Sequence, residues 1–371
     1  MDVLSRAHAL ERAGRHVVHM EIGEPDFTAP APVVEAGVRA LREGRTAYTA
    51  TLGLPALRAA IAAHYADRFA TTLDASRVVV TSGASGGLLT VVALYVDPGD
   101  EVLVPDPGYP GYRHFVRAFE GRARALAVSP AENFQPTLEM VRAAWGPRTK
   151  GLLLGSPSNP TGTLIPKDEL RAIAGFIAER GGVLMVDEVY QGLAYGVQPW
   201  TALGLPGEVV IVNSFSKYFC MTGWRLGWVV LPESAVRGFE KLAQHLFISA
   251  PSAAQHAACA AFTPQSLAVL EERRAEFARR RDFLLPQLKS AGLGVPAEPH
   301  GAFYIYADCR RDAREYCLQL LEKEAVAATP GVDFGANGTG RYVRFAYTRS
   351  MGDLEEAAKR IRRFAASSPS A

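Results

Sequence analysis

The sequence of 371 residues lacks several features that would restrict its class. It has only four cysteines, Cys220, Cys259, Cys309 and Cys317, and no two of them form a Cys-x-x-Cys pair. A chain of this length does not need disulfide bonds to stabilise its core, so this usage favours a reduced, cytoplasmic setting. The first twenty residues contain no apolar segment followed by a small-residue cleavage site, which argues against a secretory signal.

Long apolar runs and an excess of one charge are also missing. No window holds about 18 uninterrupted apolar residues, so the sequence predicts no membrane-spanning helix. The formal net charge is +2, which is too small to indicate binding to nucleic acid or to a membrane surface. What remains is an ordinary globular composition, 48% hydrophobic and 21% charged. No metal site is predicted.

Short, almost continuously apolar segments alternate with longer amphipathic segments through the middle of the chain. The predicted strands are residues 77–81, 101–104, 151–154, 183–186 and 209–212, and the predicted helices include 86–96 and 167–180. Apolar strands separated by helices are typical of a parallel sheet that is covered on both faces. The sequence therefore predicts an α/β fold.

A change of pattern near residue 265 predicts a second domain. Residues 267–291 form one long charged segment typical of a helix, and the strands predicted after it are more isolated. Because 371 residues exceed what a single core usually organises, we predict a large α/β domain at 27–265. Residues 1–26 and 266–371 are predicted to form a smaller α+β domain.

Five polar segments lie next to predicted strands, in the order Thr81 to Gly87, Ser156 to Gly162, Asp187 to Tyr190, Asn213 to Lys217 and Met221 to Trp228. Ligands of open α/β sheets bind at the carboxyl ends of the strands, so we expect these segments to form one site. Taken singly, each has an ordinary structural explanation. Lys217 could be a surface lysine, Arg225 part of an internal ion pair, and Asp187 a helix N-cap.

The segment Thr81 to Gly87 supports two hypotheses. Free backbone N–H groups at a helix start, with the hydroxyl of Ser85, suit a phosphate. Residues 83–87 also match the Gly-x-Ser-x-Gly nucleophile elbow, in which Ser85 would be the nucleophile of an α/β-hydrolase. The hydrolase hypothesis leaves Lys217 and Arg225 without a role, so the phosphate hypothesis is favoured.

Together the five segments suit one ligand that carries a phosphate, an aldehyde, a ring nitrogen and a phenolic oxygen. A lysine such as Lys217 condenses with an aldehyde. A carboxylate such as Asp187 keeps a pyridine nitrogen protonated, so that the ring can accept electrons. An arginine such as Arg225 presents a planar fork to a phosphate. The sequence therefore predicts pyridoxal 5'-phosphate (PLP) as the cofactor.

At this point the sequence resembles the fold-type I, class I and II aminotransferases, the family of aspartate aminotransferase. The resemblance rests on SPSNPTG (156–162), DEVY (187–190), SFSK (214–217) and MTGWRLGW (221–228), within a match that runs from Glu21 to about Arg344. It implies a PLP-transferase fold with a mostly parallel seven-stranded sheet in the large domain. It also implies a homodimeric aminotransferase that moves an amino group between an L-amino acid and a 2-oxo acid by a ping-pong mechanism.

The resemblance implies three catalytic residues and a set of cofactor contacts. Lys217 would form a Schiff base with PLP and carry the proton, Asp187 would pair with the ring nitrogen, and Tyr190 would bond the phenolic oxygen. The other residues implied to contact the cofactor are Asn159 at the phenolic oxygen, Val189 and Tyr109 on the ring faces, Gly83, Ala84, Ser85, Ser214, Ser216 and Arg225 around the phosphate, and Tyr48 at the phosphate of the neighbouring subunit.

For the substrate, the resemblance implies Gly23, Asn159 and Arg344. Arg344 would hold the α-carboxylate in a bidentate pair, and the backbone of Gly23 would approach that carboxylate closely. Some bacterial members of the family have a lysine at the position of Ser85, which helps to bind a dicarboxylate side chain. Serine here argues against strict aspartate specificity and leaves alanine, aromatic or branched substrates open.

Two further functions are compatible with parts of this pattern. Lyases, synthases and racemases on the same fold also begin by removing the Cα proton, so the residues named do not separate them from aminotransferases. Some transcriptional regulators join this fold to an N-terminal DNA-binding domain. Here the match begins about twenty residues from Met1, and we expect no such domain.

Overall fold

The computed structural model describes residues 2–198 and 200–367. The helices in these ranges are α1 (Asp2–Arg12), α2 (Ala31–Arg42), α3 (Pro55–Phe69), α4 (Gly83–Tyr95), α5 (Gly111–Ala118), α6 (Leu138–Ala144), α7 (Lys167–Ala178), α8 (Glu233–Leu246), α9 (Ser252–Cys259), α10 (Pro264–Ser290), α11 (Ala313–Glu324) and α12 (Met351–Ser367). The strands are β1 (Val18–His19), β2 (Val78–Thr81), β3 (Glu101–Asp106), β4 (Arg122–Ala127), β5 (Thr149–Gly155), β6 (Val183–Asp187), β7 (Glu208–Ser214), β8 (Gly227–Val230), β9 (Tyr304–Asp308), β10 (Val326–Ala327), β11 (Thr329–Pro330) and β12 (Tyr342–Ala346).

The central sheet has seven strands in the order β2-β8-β7-β6-β5-β3-β4. Its pairs are parallel except those of β8, which runs antiparallel to both β2 and β7. The predicted α/β fold with a mostly parallel seven-stranded sheet is confirmed. Because β8 runs backwards, its first residue, Gly227, lies beside the last residues of β2 and β7, Thr81 and Ser214.

Both faces of this sheet are covered by apolar side chains. In β6, Leu184 and Val186 belong to one buried cluster, whereas Val183 and Met185 belong to a second cluster on the other face. A strand that is buried on both faces has no polar positions along it. This burial explains why the central strands were recognisable as continuous apolar runs.

Strands outside the central sheet join the two ends of the chain. Strand β1 pairs in parallel with β10, with Val18 opposite Val326, and β11, β12 and β9 form an antiparallel sheet. We propose on this basis the division predicted above, with 27–265 as the large domain and 1–26 with 266–371 as the small one. Met1 and residues 368–371 of the small domain lie outside the described residues.

The long charged helix is α10, Pro264–Ser290, close to the predicted range. Thr263 is its N-cap residue, and the Thr263 side chain accepts a hydrogen bond from the backbone N–H of Ser266. A proline occupies the first turn, where it is well tolerated. Arg280 on its buried side donates to Asp26 at 2.8 Å, which ties the helix to the N-terminal segment. Across the described ranges, we find no helix with the length and apolarity needed to cross a membrane.

Candidate active site

A cavity of about 460 Å³ lies at the carboxyl edge of β5, β6 and β7. It brings together thirteen of the residues singled out in the sequence, namely Gly23, Ala84, Ser85, Tyr109, Asn159, Asp187, Val189, Tyr190, Ser214, Ser216, Lys217, Arg225 and Arg344. The parallel direction of the strands explains the convergence, because each polar segment follows its strand at the same edge of the sheet. Arg225 differs in that it precedes β8, whose reversed direction brings it to this edge.

Lys217 lies in the loop after β7, with its Nζ donating a hydrogen bond of 2.6 Å to the carbonyl oxygen of Gly23. Burial lowers the pKa of Lys217 to about 8; Glu24 opposes this shift, and the cations of Arg344 and Arg225 add to it. A lysine with its pKa near 8 has an appreciable neutral fraction at neutral pH. Neutral amines are the form that attacks a carbonyl or accepts a proton.

Asp187 is the last residue of β6 and its side chain is buried. Its Oδ1 accepts a hydrogen bond from the Val189 N–H at 3.1 Å, and its Oδ2 accepts one from the Tyr112 hydroxyl at 2.9 Å. Burial raises the pKa of Asp187 to about 6, with these two bonds and Lys217 opposing the rise. No cationic side chain of the described residues lies within salt-bridge distance of it. A buried carboxylate in this state would be stabilised by a cation in the cavity.

Arg344, on β12, faces the cavity from the small sheet and is 7% exposed. Its Nη1 donates to Asn159 Oδ1 at 2.9 Å and its Nη2 to the Glu21 carbonyl at 2.6 Å. Its Nε is buried without a hydrogen-bond partner among the described residues. The guanidinium lies 4.3 Å from the ring centroid of Tyr304. A buried guanidinium with a spare donor is suited to an anion that enters the cavity.

The N-terminus of α4 and the side chain of Arg225 lie together at another polar part of the cavity. Gly83 has φ +73°, and a Cβ added there would lie 2.6 Å from Nη2 of Arg225, so only glycine lets the guanidinium approach this helix end. Ser82, at the N-cap position, makes no side-chain capping bond. The helix N-terminus, a guanidinium and the hydroxyl of Ser214 together provide donors for a phosphate.

Two predicted residues do not line the cavity. Gly83 lies against the guanidinium of Arg225 but is not itself a lining residue. Tyr48 is 78% exposed and lies outside the cavity, so this single chain does not bring it to the other site residues.

The nucleophile-elbow hypothesis for Ser85 is not supported, because none of the described residues that line the cavity is a histidine that could serve as its base.

Several residues that line the cavity were not predicted as site residues from the sequence: Ile22, Glu24, Leu88, Tyr112, Pro157, Thr222 and Tyr304. Two of them make side-chain hydrogen bonds to the side chains of predicted residues: the Tyr112 hydroxyl donates to Asp187, and the hydroxyls of Tyr304 and Tyr190 lie 2.8 Å apart. Tyr304 had a weak signal, because it lies in residues 302–306, one of the isolated strands predicted after the long charged helix. Tyr112 lies inside α5, and nothing local distinguishes it from a packing aromatic.

Comparisons with known proteins agree with this architecture. The family model "Aminotransferase class I and II" matches residues 15–361. A valine–pyruvate aminotransferase from Mycobacterium tuberculosis is 39% identical over 97% of this chain and 94% of its own length. An aspartate aminotransferase from Geobacillus stearothermophilus is 33% identical over 98% of this chain and 95% of its own.

Among solved structures, an aminotransferase from Mycobacterium tuberculosis superimposes with a TM-score of 0.95 at 39% identity. The match covers 99% of this chain and 96% of that structure. With the relatives above, it confirms the family resemblance and the fold that the resemblance implied.

Proposed function

Because the chain belongs to the class I and II aminotransferases, enzymes that transfer amino groups, we propose that it does so with PLP held in the cavity at Lys217. The observation that supports this proposal is one cavity in which a half-buried lysine with its pKa near 8 lies among a buried aspartate and two arginines. The proposed reaction moves an amino group between an L-amino acid and a 2-oxo acid in two half-reactions.

The residues present fit this cofactor on three counts. Asp187 is a buried carboxylate without a cationic partner among the described residues, and a protonated ring nitrogen would supply one. The α4 N-terminus with Arg225 and Ser214 offers donors to the phosphate, and Lys217 offers an amine to the aldehyde. When bound, PLP supplies a conjugated ring that accepts the electron pair left as the substrate Cα loses its proton.

The chain's own residues would hold the substrate and move the proton. Arg344 would bind the α-carboxylate of the substrate through the Nε that has no partner among the described residues, beside the backbone of Gly23. Lys217 Nζ, once neutral, would accept the Cα proton and return it at the cofactor carbon. Asn159 and Tyr190 would orient the cofactor through its phenolic oxygen, and Val189 and Tyr109 would pack on its two faces.

We propose that preferred amino donors have uncharged side chains. Among the residues that the structure describes, three cationic side chains line the cavity, and each is assigned above to another group: Lys217, Arg225 and Arg344. Ser85 adds no charge to a side-chain pocket, and Glu24 at the cavity rim would repel a second carboxylate. The two relatives named above differ on this point, since one is named for valine and pyruvate and the other for aspartate.

The experiment that tests this function follows a ¹⁵N label from an amino acid to an unlabelled 2-oxo acid. We expect the labelled nitrogen to appear in the new amino acid, with alanine, branched or aromatic donors outperforming aspartate. A lyase on the same fold would instead release labelled ammonia and leave the 2-oxo acid unaminated. Ammonia release in place of transfer would contradict the proposal.

The lowered pKa of Lys217 predicts the pH dependence of cofactor uptake by the apoenzyme. Because only the neutral amine attacks the aldehyde, the rate should rise about tenfold per pH unit below the pKa and level off above it. With that pKa near 8, the plateau should begin between roughly pH 8 and 9. Stopped-flow absorbance after mixing apoenzyme with PLP measures this profile, and a rate still rising steeply at pH 10 would contradict it.

We also propose a homodimer located in the cytoplasm. Helix α2 buries Val33 and Ala40 against the chain but exposes Val34, Val38 and Leu41, the last at 60%. Apolar side chains at this spacing form one stripe along the helix, which suits contact with a second copy. Tyr48 is exposed a few residues after α2, where it could reach a neighbouring cavity. Sedimentation velocity at micromolar concentration should give twice the chain mass of 40.0 kDa.

A further inference from the structure

Tyr304 lies between two groups of the candidate active site and contacts both. Its hydroxyl is 2.8 Å from the hydroxyl of Tyr190, and its ring lies under the guanidinium of Arg344 at 4.3 Å. Tyr304 is 1% exposed, so water does not compete for either contact. A Cβ at Gly23 would overlap the Tyr304 hydroxyl, so the glycine leaves room for this phenol.

The direction of the Tyr190–Tyr304 hydrogen bond decides what Tyr190 can do. A phenol has a single proton, so it can donate only one hydrogen bond while it accepts others. If Tyr190 donated to Tyr304, its proton would be unavailable to a ligand in the cavity. If Tyr304 is the donor, the proton of Tyr190 is free to be donated into the cavity.

The surroundings favour Tyr304 as the donor. Burial raises the pKa of Tyr304, but the Arg344 cation opposes that rise. Burial raises the pKa of Tyr190 well above its ordinary value; Tyr304 and the nearby Asp187 add to the rise, and Arg344 opposes it there too. Of the two rings, only that of Tyr304 lies under the Arg344 guanidinium. This cation favours the more acidic phenol at Tyr304, so the bond should run from Tyr304 to Tyr190.

We propose that Tyr304 is a positioning residue that donates to the Tyr190 hydroxyl, directs the Tyr190 proton to the phenolic oxygen of the cofactor, and supports Arg344 with its ring. This role presupposes the PLP function proposed above. Hydrogen bonds in a chain strengthen one another, so Tyr190 becomes a stronger donor when it accepts from Tyr304. A stronger donor at the phenolic oxygen stabilises its ionised form.

Two substitutions distinguish the effect of the Tyr304 hydroxyl from the effect of its ring. Tyr304→Phe removes the donated bond and keeps the ring under Arg344, whereas Tyr304→Leu removes both. Tyr306→Phe is the matched control, because Tyr306 lies two residues along β9, and its hydroxyl is buried without a partner among the described residues and does not line the cavity. Thermal unfolding of each apoenzyme establishes that the variants fold.

The readout is the pH midpoint of the visible absorbance change of the PLP-loaded protein without substrate. Tyr304→Phe should raise this midpoint by about half a unit, because the phenolic oxygen becomes more basic when its donor is weakened. Tyr306→Phe should leave it unchanged. Only Tyr304→Leu should also raise the KM for the amino acid, because Arg344 then loses the ring beneath it.

A double-mutant cycle tests whether Tyr304 acts through Tyr190. Tyr190→Phe should raise the midpoint by more than Tyr304→Phe does, and adding Tyr304→Phe to it should give no further shift. An unshifted midpoint in Tyr304→Phe, or additive shifts in the double variant, would overturn the role of Tyr304. Failure of the wild-type protein to bind PLP would instead overturn the proposed function, so the two failures are distinguishable.

Discussion

Replacing Lys217 with alanine should reduce the rate of amino-group transfer by about 10³-fold or more, because both the covalent contact and the proton carrier are lost. The side chain is half-buried and lines the cavity, and its Nζ lies 2.6 Å from the Gly23 carbonyl oxygen. No other lysine lines the cavity among the described residues. Single-turnover rates with an amino acid, followed by the absorbance of the loaded protein, measure the loss directly.

Two comparison variants make this result specific. Lys217→Arg keeps a positive charge in the cavity, but arginine stays protonated at neutral pH and cannot act as the base, so it should be nearly as inactive. Lys167→Ala removes an exposed lysine at the start of α7 and should transfer amino groups at the wild-type rate. Near wild-type transfer by a folded Lys217→Ala protein would refute the role of this lysine.

Replacing Arg344 with alanine should lower kcat/KM for amino acids by about 100-fold, because a charge-assisted pair with a carboxylate contributes roughly 3 kcal/mol. The guanidinium donates hydrogen bonds to Asn159 and to the Glu21 carbonyl, and its Nε has no hydrogen-bond partner among the described residues. Arg344→Lys should recover little of this loss, because a lysine cannot donate two parallel hydrogen bonds. Amines that lack a carboxylate should react at an unchanged rate with both variants.

The matched control for this prediction is Arg341→Ala. Arg341 lies just before β12, is largely exposed and pairs with Asp308 on the neighbouring strand, so its loss should leave kcat/KM within about twofold, as for most surface substitutions. If Arg344→Ala reduced the reaction of amino acids and of carboxylate-free amines equally, the residue would act on the fold or the cofactor, and its assignment to the carboxylate would be wrong.

The parts of the fold that the sequence predicted are those with a strong local signal. Strands β5, β6 and β7 are buried on both faces, so they appear as apolar runs, and the polar segments after them could be assigned to one edge. Strand β4, at one edge of the sheet, was missed because its arginines and alanines are mostly exposed and form no apolar run. Strand β8 was missed because its first two residues, Gly227 and Trp228, lie within the segment 221–228, which was interpreted as part of the ligand site.

The parts of the candidate site that could not be predicted depend on tertiary packing. Tyr112 reaches Asp187 from α5, and Tyr304 reaches Tyr190 from the small sheet, across 75 and 114 residues of chain. Neither residue has a sequence pattern that distinguishes it from a core aromatic, since both are buried. Tyr48 had a family signal, but its exposed position means that its proposed role depends on a second chain.

The most direct test of the account is to reduce the PLP-loaded protein with borohydride and to locate the trapped cofactor by peptide mass spectrometry. The proposed role of Lys217 predicts a single stable adduct on its ε-amino group, in the peptide that contains Ser214 to Lys217. A protein that binds no PLP, or an adduct that forms on a different lysine while Lys217 stays unmodified, would contradict it.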